Sequence, residues 1–309
     1  MGCLLTKLFL TGATGFIGQR FLESVLLHTD WNVVSLERLP KRDSIFNGST
    51  RAEIFYHDLR AEIPSHIVSA AQECQFLVHL AGEVSGIKSL ANPELTVATN
   101  VWGTYHVLEL ARKMSILERL IYVSTGEVVG NVNFPGQAAE DVPLFPSNPY
   151  AASKAAGEAL VNAYRVSFGV PGIIVRSMNV FGERQSTDRF IPMVLRSIID
   201  GHLVTCHVDR QGNSGSRNWL YVNKFVSELE HLVDYGKVGE IYHIVGPERT
   251  NLDIIRLLCQ VLGQPLHVHT KISGPSHDFR YSLKDTKLGL NFDADFNKTI
   301  ELTIRSYLV

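Results

Sequence analysis

Cysteine is scarce in this chain of 309 residues, and the cysteines lie far apart. No C-x-x-C pair is present, so the spacing indicates neither a zinc knuckle nor a disulfide framework. We therefore predict a protein without a metal site that works in a reducing, cytoplasmic environment. The cysteines are Cys3, Cys74, Cys206 and Cys259.

Long apolar runs and an excess of one charge are also absent from the sequence. No apolar stretch approaches the ~20 residues that span a bilayer, and the formal net charge is -2 at pH 7. Neither a membrane nor nucleic acid is therefore expected as a partner. The N-terminal Met1-Gly2-Cys3 matches a lipidation pattern, but we expect no lipid there because a predicted strand begins a few residues later.

Short apolar runs alternate with helical patterns along most of the chain. Continuous apolar runs are typical of parallel strands that are buried on both faces. We therefore predict an α/β fold, a Rossmann doubly wound parallel sheet with ligand sites at the carboxyl ends of its strands. The predicted strands are Lys7–Leu10, Trp31–Leu36, Glu53–Tyr56, Phe76–Leu80, Arg119–Val123, Pro171–Val175 and Glu240–Val245.

A glycine-rich turn, Thr11 to Gly18, joins the first strand to an amphipathic helix. Gly12 permits the tight turn, Gly15 lets backbone N–H groups approach a pyrophosphate, and Gly18 lets the helix pack closely on the sheet. The strand before it and the helix after it distinguish a dinucleotide site from an ordinary loop. The predicted cofactor contacts here are Gly12, Thr14, Gly15, Phe16, Ile17 and Gly18.

The end of the second strand carries the signal for the type of cofactor. Glu37 stands where a carboxylate can accept hydrogen bonds from a ribose 2′-hydroxyl and would repel a 2′-phosphate. Arg38, Lys41 and Arg42 follow it and could accommodate that phosphate, so NAD is favoured and NADP stays open. Further cofactor contacts are predicted at Arg38, Asp58, Leu59, Leu80, Ala81 and Gly82.

A tyrosine and a lysine lie one helical turn apart at Tyr150 and Lys154. We expect the ammonium of Lys154, together with the positive nicotinamide ring of the cofactor, to lower the pKa of Tyr150, so that the phenolate can deprotonate an alcohol as hydride leaves the carbon. Ser124 and Thr125 close the fifth predicted strand, where a hydroxyl can orient the same alcohol. Tyr150 and Lys154 are also expected to contact the cofactor.

The alternation of strands and helices suggests two lobes. Residues 1–175, with 224–245 returning to them, are predicted to form the NAD-binding Rossmann domain. Residues 176–223 and 246–309 are less regular and are predicted to form a smaller C-terminal lobe that binds the substrate.

Together these motifs resemble the extended short-chain dehydrogenase/reductase family, specifically its nucleotide-sugar dehydratases, epimerases and decarboxylases. The resemblance covers nearly the whole chain. The second half is most similar to 4,6-dehydratases, through the segments 176–182, 189–192, 217–222 and 274–281.

The resemblance implies a nucleoside-diphosphate sugar as substrate and NAD as cofactor, with Asn100 among the cofactor-binding residues. It also implies that Asn179 and Arg217 grip the nucleotide and diphosphate of the substrate. Arg189 and Arg280 are further candidate clamps, because guanidinium forks match phosphate oxygens. Family members often form homodimers through two helices of each subunit, here those carrying residues 105–113 and 150–166.

One position departs from the dehydratases, which usually carry Thr-Asp-Glu where this chain has Thr125-Gly126-Glu127. In that family the Asp protonates the departing 6-hydroxyl and the Glu removes the C5 proton. The resemblance therefore makes Glu127 a catalytic base and Thr125 a catalytic and substrate-binding residue. Gly126, in contrast, has no side chain that could act as the acid.

Three reactions stay open, and each begins with oxidation at C4 of the sugar. A 4,6-dehydratase would need Glu127 or water to protonate the leaving group, a uronate decarboxylase would lose carbon dioxide without that acid, and a 4-epimerase needs neither group. The dehydratase is favoured because Glu127 is retained beside dehydratase-like distal segments. Outside enzymes, the alternative is a dinucleotide-binding sensor or scaffold.

Overall fold

The computed structural model describes residues 6–40, 49–131, 136–272 and 279–308. Gly2 and Cys3 of the lipidation pattern and the cations Lys41 and Arg42 lie outside these ranges. The same holds for residues 273–278, which include most of the last dehydratase-like segment.

A seven-stranded, all-parallel sheet organises the described residues, with strand order β11-β6-β5-β4-β1-β2-β3. Three two-stranded pairs, β10 with β7, β12 with β9 and β13 with β8, lie outside it. The strands are β1 Lys7–Thr11, β2 Asn32–Glu37, β3 Ala52–Tyr56, β4 Phe76–His79, β5 Arg119–Thr125, β6 Gly172–Ser177, β7 Val180–Phe181, β8 Val204–Val208, β9 Ser216–Asn218, β10 Leu220–Tyr221, β11 Ile241–Ile244, β12 Glu248–Thr250 and β13 Val268–Ile272.

Helices cover both faces of the sheet. A π-helical segment, Ala98–Trp102, leads into the fifth helix, and a single 3-10 turn, Gly126–Val129, follows β5. The helices are α1 Phe16–His28, α2 Ser65–Ala71, α3 Gly86–Ala91, α4 Pro93–Val97, α5 Gly103–Ala111, α6 Pro149–Phe168, α7 Phe190–Ile199, α8 Val222–Tyr235, α9 Asn251–Leu262 and α10 Phe296–Leu308. Among the described residues, no helix is long and apolar enough to cross a bilayer.

The predicted doubly wound fold is confirmed, and all seven predicted strands are present in the central sheet. Successive residues of a strand face opposite sides, so Phe9 packs in one apolar cluster with Val107 and Leu10 in another with Phe225. The cluster around Leu10 continues to Ile255 in α9. The division into a Rossmann domain and a smaller lobe therefore stays a prediction, because one core runs through both.

The register of the sheet aligns the last residues of β1 and β4, and β5 continues past them to Thr125. Thr11 pairs with His79, and His79 pairs with Tyr122. β5 extends beyond its predicted end and includes Ser124 and Thr125. The segments that leave β1, β4 and β5 therefore meet at one edge of the sheet.

Local sequence fixes the start and end of α6, the helix with the tyrosine and lysine. The Asn148 side chain accepts a hydrogen bond from the backbone N–H of Ala151 at 2.8 Å, and Pro149 occupies the first turn. Gly169, with φ of 72°, ends the helix in the left-handed conformation. Tyr150 consequently lies in the first turn, at the edge of the sheet where β5 ends.

Candidate functional site

A cavity of about 1000 Å³ lies at the carboxyl edge of the parallel strands. Residues that follow β1, β2, β4, β5 and β6 line it, together with the start of α7. Ligands bind doubly wound sheets at this edge. Of the predicted site residues, the cavity is lined by Gly12, Thr14, Gly15, Phe16, Ile17, Gly18, Glu37, Arg38, Asp58, Leu59, Leu80, Ala81, Gly82, Ser124, Thr125, Glu127, Tyr150, Lys154, Asn179, Arg189 and Arg217.

The glycine turn leaves no room for side chains on its inner side. Gly12 has φ of 79°, and a Cβ there would lie 2.8 Å from the backbone nitrogen of Ala81. A Cβ at Gly18 would overlap the carbonyl oxygen of Gly12. The first turn of α1 thus packs directly on the loop, with its N-terminus open to an anion in the cavity.

Glu37 lies beneath this turn and is buried. One carboxylate oxygen accepts hydrogen bonds from the backbone N–H of Ala13 at 2.6 Å and the hydroxyl of Ser35 at 2.7 Å. The other accepts from the N–H and hydroxyl of Thr14, at 3.1 and 2.6 Å. The residue predicted to meet a ribose therefore also holds the phosphate turn, a role that its sequence position does not indicate.

The other polar residues predicted at the strand ends have partners on the protein. Arg38 Nη1 lies 3.5 Å from Glu83 Oε1. Asp58 accepts two hydrogen bonds from Arg60 Nε, each 3.0 Å long, and one from Arg60 Nη2 at 2.5 Å. These bonds lower the pKa of Asp58 to about 2, so its carboxylate is ionised at neutral pH.

Asn100 is not among the residues that line the cavity, and its predicted contact with the cofactor stays a prediction. Its amide lies within the protein and clamps the backbone of Glu83, accepting from the N–H at 2.8 Å and donating to the carbonyl at 2.9 Å. It also donates to Ser153 Oγ at 2.9 Å. A Cβ at Gly82 would lie 2.9 Å from the Asn100 Oδ1. Asn100 thus positions the segment after β4 against α6.

The five predicted catalytic residues meet at one wall of the cavity. Ser124 and Thr125 come from the end of β5, Tyr150 and Lys154 from α6, and Glu127 from the turn between them. The Thr125 hydroxyl lies near the phenol of Tyr150 and acts to lower the pKa of that phenol. The Ser124 hydroxyl is buried and has no hydrogen-bond partner within the described part of the chain. Buried hydroxyls normally have partners, so this one fits a ligand group.

Burial changes the protonation expected for the tyrosine and lysine. Desolvation, reinforced by the Glu127 carboxylate, raises the pKa of Tyr150. Desolvation lowers the pKa of Lys154 to about 7, although Glu158 opposes this change. In the protein without its cofactor a dry interior therefore disfavours both the phenolate and the ammonium, and the lowering of the Tyr150 pKa beside a positive nicotinamide ring stays a prediction.

Hydrogen bonds hold both the backbone and the carboxylate of Glu127 beside the cavity. Its backbone N–H donates to Thr125 Oγ1 at 3.3 Å, and its Oε2 accepts from Asn148 Nδ2 at 3.1 Å. Asn148 is a site residue that the sequence analysis missed. The Asn-Pro pair before α6 was the available signal, because it marks a helix start.

Neighbouring side chains occupy the space beside Gly126. A Cβ there would lie 2.7 Å from Leu283 Cδ1 and 3.4 Å from Met178 Sδ. Leu283 itself is fixed, because its N–H donates to Asn218 Oδ1 at 2.8 Å and its carbonyl accepts from Asn218 Nδ2 at 3.3 Å. The room for a side chain at position 126 is thus filled by hydrocarbon.

Three of the four predicted substrate-binding polar groups in the distal half line the cavity. Asn179 adopts a positive φ of 34° there, and Arg189 Nη1 donates to the carbonyl of Val84 at 3.1 Å. Arg217 donates to the carbonyl of Phe279 at 2.8 Å, and its guanidinium lies 4.6 Å from the ring centroid of Tyr281.

Arg280 is the exception and does not line the cavity. Its Nε and Nη2 donate to the two carboxylate oxygens of Glu248 at 2.8 and 2.9 Å, and its Nη1 donates to the carbonyl of Gly136 at 2.7 Å. Arg280 therefore forms a salt bridge with Glu248, and its alternative role as a phosphate clamp stays a prediction.

Residues 8–245 match the sequence model of the NAD dependent epimerase/dehydratase family. The chain belongs to this family. The match includes the glycine turn, the five catalytic candidates and Arg217, and the extended short-chain dehydrogenase/reductase resemblance is thereby confirmed. The glycine cradle and the unpartnered Ser124 hydroxyl fit the dinucleotide for which the family is named.

Relatives of the chain within this family include both dehydratases and epimerases. A dTDP-glucose 4,6-dehydratase of Escherichia coli is 29% identical, over 98% of this chain and 93% of the relative. A dTDP-glucose 4,6-dehydratase of Streptomyces venezuelae, solved with NAD bound, is 28% identical with a TM-score of 0.89, covering 98% of this chain and 97% of that one. A UDP-glucose 4-epimerase of Thermus thermophilus, solved with NAD, is 25% identical with a TM-score of 0.84, covering 98% and 99%.

Proposed function

We propose that this protein is an NAD-dependent enzyme that modifies a nucleoside-diphosphate sugar through transient oxidation at C4, and that it acts as a 4,6-dehydratase. The observation that carries the proposal is the convergence of five groups on one wall of the cavity into which the glycine turn opens. These groups are Ser124, Thr125, Glu127, Tyr150 and Lys154.

Each group on this wall has a chemical task in the proposed reaction. Ser124 and Thr125 orient the C4 hydroxyl. Tyr150 removes the proton of this hydroxyl as a phenolate, which the charge of Lys154 and the positively charged nicotinamide of bound NAD would stabilise. NAD, when bound, supplies the hydride acceptor. The resulting 4-ketone acidifies the C5 hydrogen, which Glu127 removes. Glu127 or a water molecule then gives a proton to the 6-hydroxyl, which departs as water. The hydride taken from C4 returns to C6 and a proton is added at C5, so the reaction leaves no net oxidation.

The distal half of the chain adds polar groups to the cavity that suit a nucleoside diphosphate, the portion of the substrate that stays attached to the sugar. Arg189 and Arg217 bring two cations to the lining, and Asn179 adds an amide. Guanidinium groups suit diphosphate oxygens because they can donate two parallel hydrogen bonds. The E. coli and S. venezuelae relatives are named for a dTDP-sugar, which supports the same class of substrate.

A 4-epimerase is the second candidate, and the surroundings of Gly126 favour it. Because Leu283 and Met178 fill the room beside Gly126, this position provides no proton donor for a leaving hydroxyl. An epimerase needs only the C4 oxidation and its reversal on the other face of the ketone, so Tyr150 would suffice as acid and base.

Product mass separates these candidates. Purified protein is incubated with UDP-, dTDP-, CDP- and GDP-hexoses and with UDP-glucuronate, and the products are analysed by mass spectrometry and NMR. We expect loss of water from one hexose nucleotide. Unchanged mass with inverted C4 indicates the epimerase, loss of carbon dioxide indicates the decarboxylase, and no transient reduced cofactor with any sugar contradicts the enzymatic proposal.

Replacing Glu127 by Gln is expected to slow loss of water by about 10²–10⁴-fold, because the amide retains the shape of the side chain but cannot remove the C5 proton. Oxidation at C4 precedes this step, so reduced cofactor should accumulate in stopped-flow absorbance. Glu109→Gln is the control, because Glu109 binds Arg112 and Tyr164 outside the cavity. Wild-type turnover of Glu127→Gln would remove the base from the mechanism and favour the epimerase.

We also propose a homodimer, formed through α5 and α6. Large apolar side chains are exposed at the ends of these helices, at Trp102, Val166 and Phe168, which supports the proposal. Sedimentation velocity should give twice the chain mass of 34.4 kDa. Charged substitutions at Val166 and Phe168 should convert the protein to monomer if the proposal is right.

A cytoplasmic location is proposed as well. Three cysteines of the described residues, Cys74, Cys206 and Cys259, are buried as free thiols. Buried unpaired thiols are compatible with a reducing compartment.

A further inference from the structure

A third buried polar side chain, Glu158, lies on the same face of α6 as Tyr150 and Lys154. Tyr150, Lys154 and Glu158 follow each other at intervals of one helical turn, so they share one face of the helix. All three are buried, but Glu158 does not line the cavity. A carboxylate in a dry interior is costly without a partner, so its place beneath Lys154 requires an explanation.

Arg176 of β6 binds Glu158 with a fork of hydrogen bonds. Arg176 Nε lies 3.0 Å from Glu158 Oε1, and Nη2 lies 2.8 Å from Oε2. The exposed fractions of the two side chains are 2% and 4%. Arg176 Nη1 also donates to the carbonyl of Glu140 at 3.2 Å and lies 3.5 Å from His243 Nε2. The Glu158 carboxylate is therefore fixed in place against a guanidinium.

Lys154 is held near this carboxylate by an aromatic ring. Its Nζ lies 4.1 Å from the ring centroid of Tyr122, whose hydroxyl donates to the Lys154 carbonyl at 3.3 Å. Gly157 permits this packing, because a Cβ there would overlap the Tyr122 hydroxyl. Within the residues that the structure describes, Lys154 Nζ has no hydrogen bond and no ion pair. The ring face and the nearby carboxylate provide the stabilisation of its charge.

The other titratable groups packed around Lys154 do not supply a negative charge. Burial lowers the pKa of His79 to about 3, so this residue is neutral. Burial raises the pKa of both Tyr122 and Tyr150, so both phenols are neutral in the resting protein. Glu158 is thus the group that opposes the desolvation of Lys154.

We propose that Glu158, held by Arg176, is a positioning residue that keeps Lys154 charged beneath Tyr150 during the reaction. This inference rests on the proposed function for its catalytic consequence. It assigns a role in the chemistry to a buried ion pair that touches neither the cavity nor its ligands.

The proposal predicts the direction in which the pH profile moves. The folded-state pKa of Lys154 is already depressed to about 7, and Glu158 acts against that depression. Removal of the Glu158 charge lowers this pKa further, so the ammonium is lost at a lower pH. For Glu158→Gln we expect the alkaline limb of the kcat profile to move to lower pH by about one unit. At pH values above that limb, kcat should then be about tenfold lower than in the wild type. KM should change little, because Glu158 lies outside the cavity.

Two further variants distinguish this role from a structural one. Glu158→Asp keeps the charge and should restore most of the wild-type profile. Glu140→Gln is the matched control, because Glu140 is equally buried beside Arg176 but its carboxylate binds the N–H and hydroxyl of Thr286, at 3.1 and 2.5 Å. It should reduce thermal stability without moving the alkaline limb. The proposal would be overturned if the alkaline limb of kcat did not move in Glu158→Gln, or if it moved equally far in Glu140→Gln.

A direct titration separates this proposal from the proposed function. NMR of isotope-labelled lysine, with the Lys154 signal assigned by Lys154→Met, reports the pKa of the ammonium without any substrate. We expect a lower pKa in Glu158→Gln than in the wild-type protein. If Glu158→Gln does not fold, the double variant Glu158→Gln/Arg176→Met removes both buried charges and should show the same lowering. An unchanged pKa refutes the inference, whatever reaction the enzyme catalyses.

Discussion

Replacing Tyr150 by Phe is expected to reduce turnover by about 10²–10⁴-fold while the protein stays folded and retains its cofactor. The reason is that Tyr150 lines the cavity together with Ser124 and Thr125, where the C4 hydroxyl is proposed to lie. Phenylalanine fills the same buried volume but cannot accept the proton. Steady-state rates and the reduced-cofactor absorbance of a single turnover measure the loss.

Tyr164→Phe on the same helix is the control for this experiment. The Tyr164 hydroxyl donates to Glu109 Oε1 at 2.7 Å, and neither residue lines the cavity. Its removal should cost about 1 kcal/mol of stability, as for a typical hydrogen bond, and leave turnover unchanged. Turnover of Tyr150→Phe close to that of the wild type would show that another group accepts the proton and would refute the proposed mechanism.

Introducing an acid at position 126 is expected to destabilise the protein by about 3 kcal/mol or more. In Gly126→Asp the new Cβ lies 2.7 Å from Leu283 Cδ1, and the carboxylate is buried against Leu283 and Met178. Leu283 cannot move away easily, because Asn218 binds both of its backbone polar groups. Urea unfolding of the wild type and the variant gives the difference in free energy.

The double variant Gly126→Asp/Leu283→Ala tests the cause of this destabilisation. Leu283→Ala alone should cost about 2–5 kcal/mol, as buried leucines do. Because the two residues are in contact, we expect the double variant to be more stable than the sum of the single effects. Strict additivity would show that Leu283 does not close this position. Faster loss of water in the double variant would further indicate that the absent acid limits dehydration.

The fold of this protein can be predicted from its sequence because each strand of the parallel sheet is a short, continuous apolar run. Lys7 to Leu10 and Phe76 to Leu80 are examples, and both are strands at the predicted places. Periodicity succeeds here because burial on both faces selects apolar residues at every position of such a strand. The glycine turn is readable for a related reason, since backbone packing at Gly12 and Gly18 excludes any side chain.

The roles of individual polar residues were harder to predict from the sequence. Arg280 and Arg217 carry the same guanidinium, yet Arg280 binds Glu248 while Arg217 lines the cavity. Asn100 belongs to a family motif but binds the backbone of Glu83. Sequence position does not indicate which way a long or forked side chain points, because distant segments supply its partners.

The sequence by itself determined the doubly wound sheet, the dinucleotide turn and the placing of Tyr150 and Lys154 on one helix face, since each follows from local spacing. Only the tertiary structure decided the charge of that pair, because the pKa values depend on burial and on nearby carboxylates, Glu127 for Tyr150 and Glu158 for Lys154. It also decided the meaning of Gly126. In the sequence, Gly126 shows only that a side chain is absent. In the fold, the side chain of Leu283, which is distant in sequence, occupies the space that a side chain at position 126 would need.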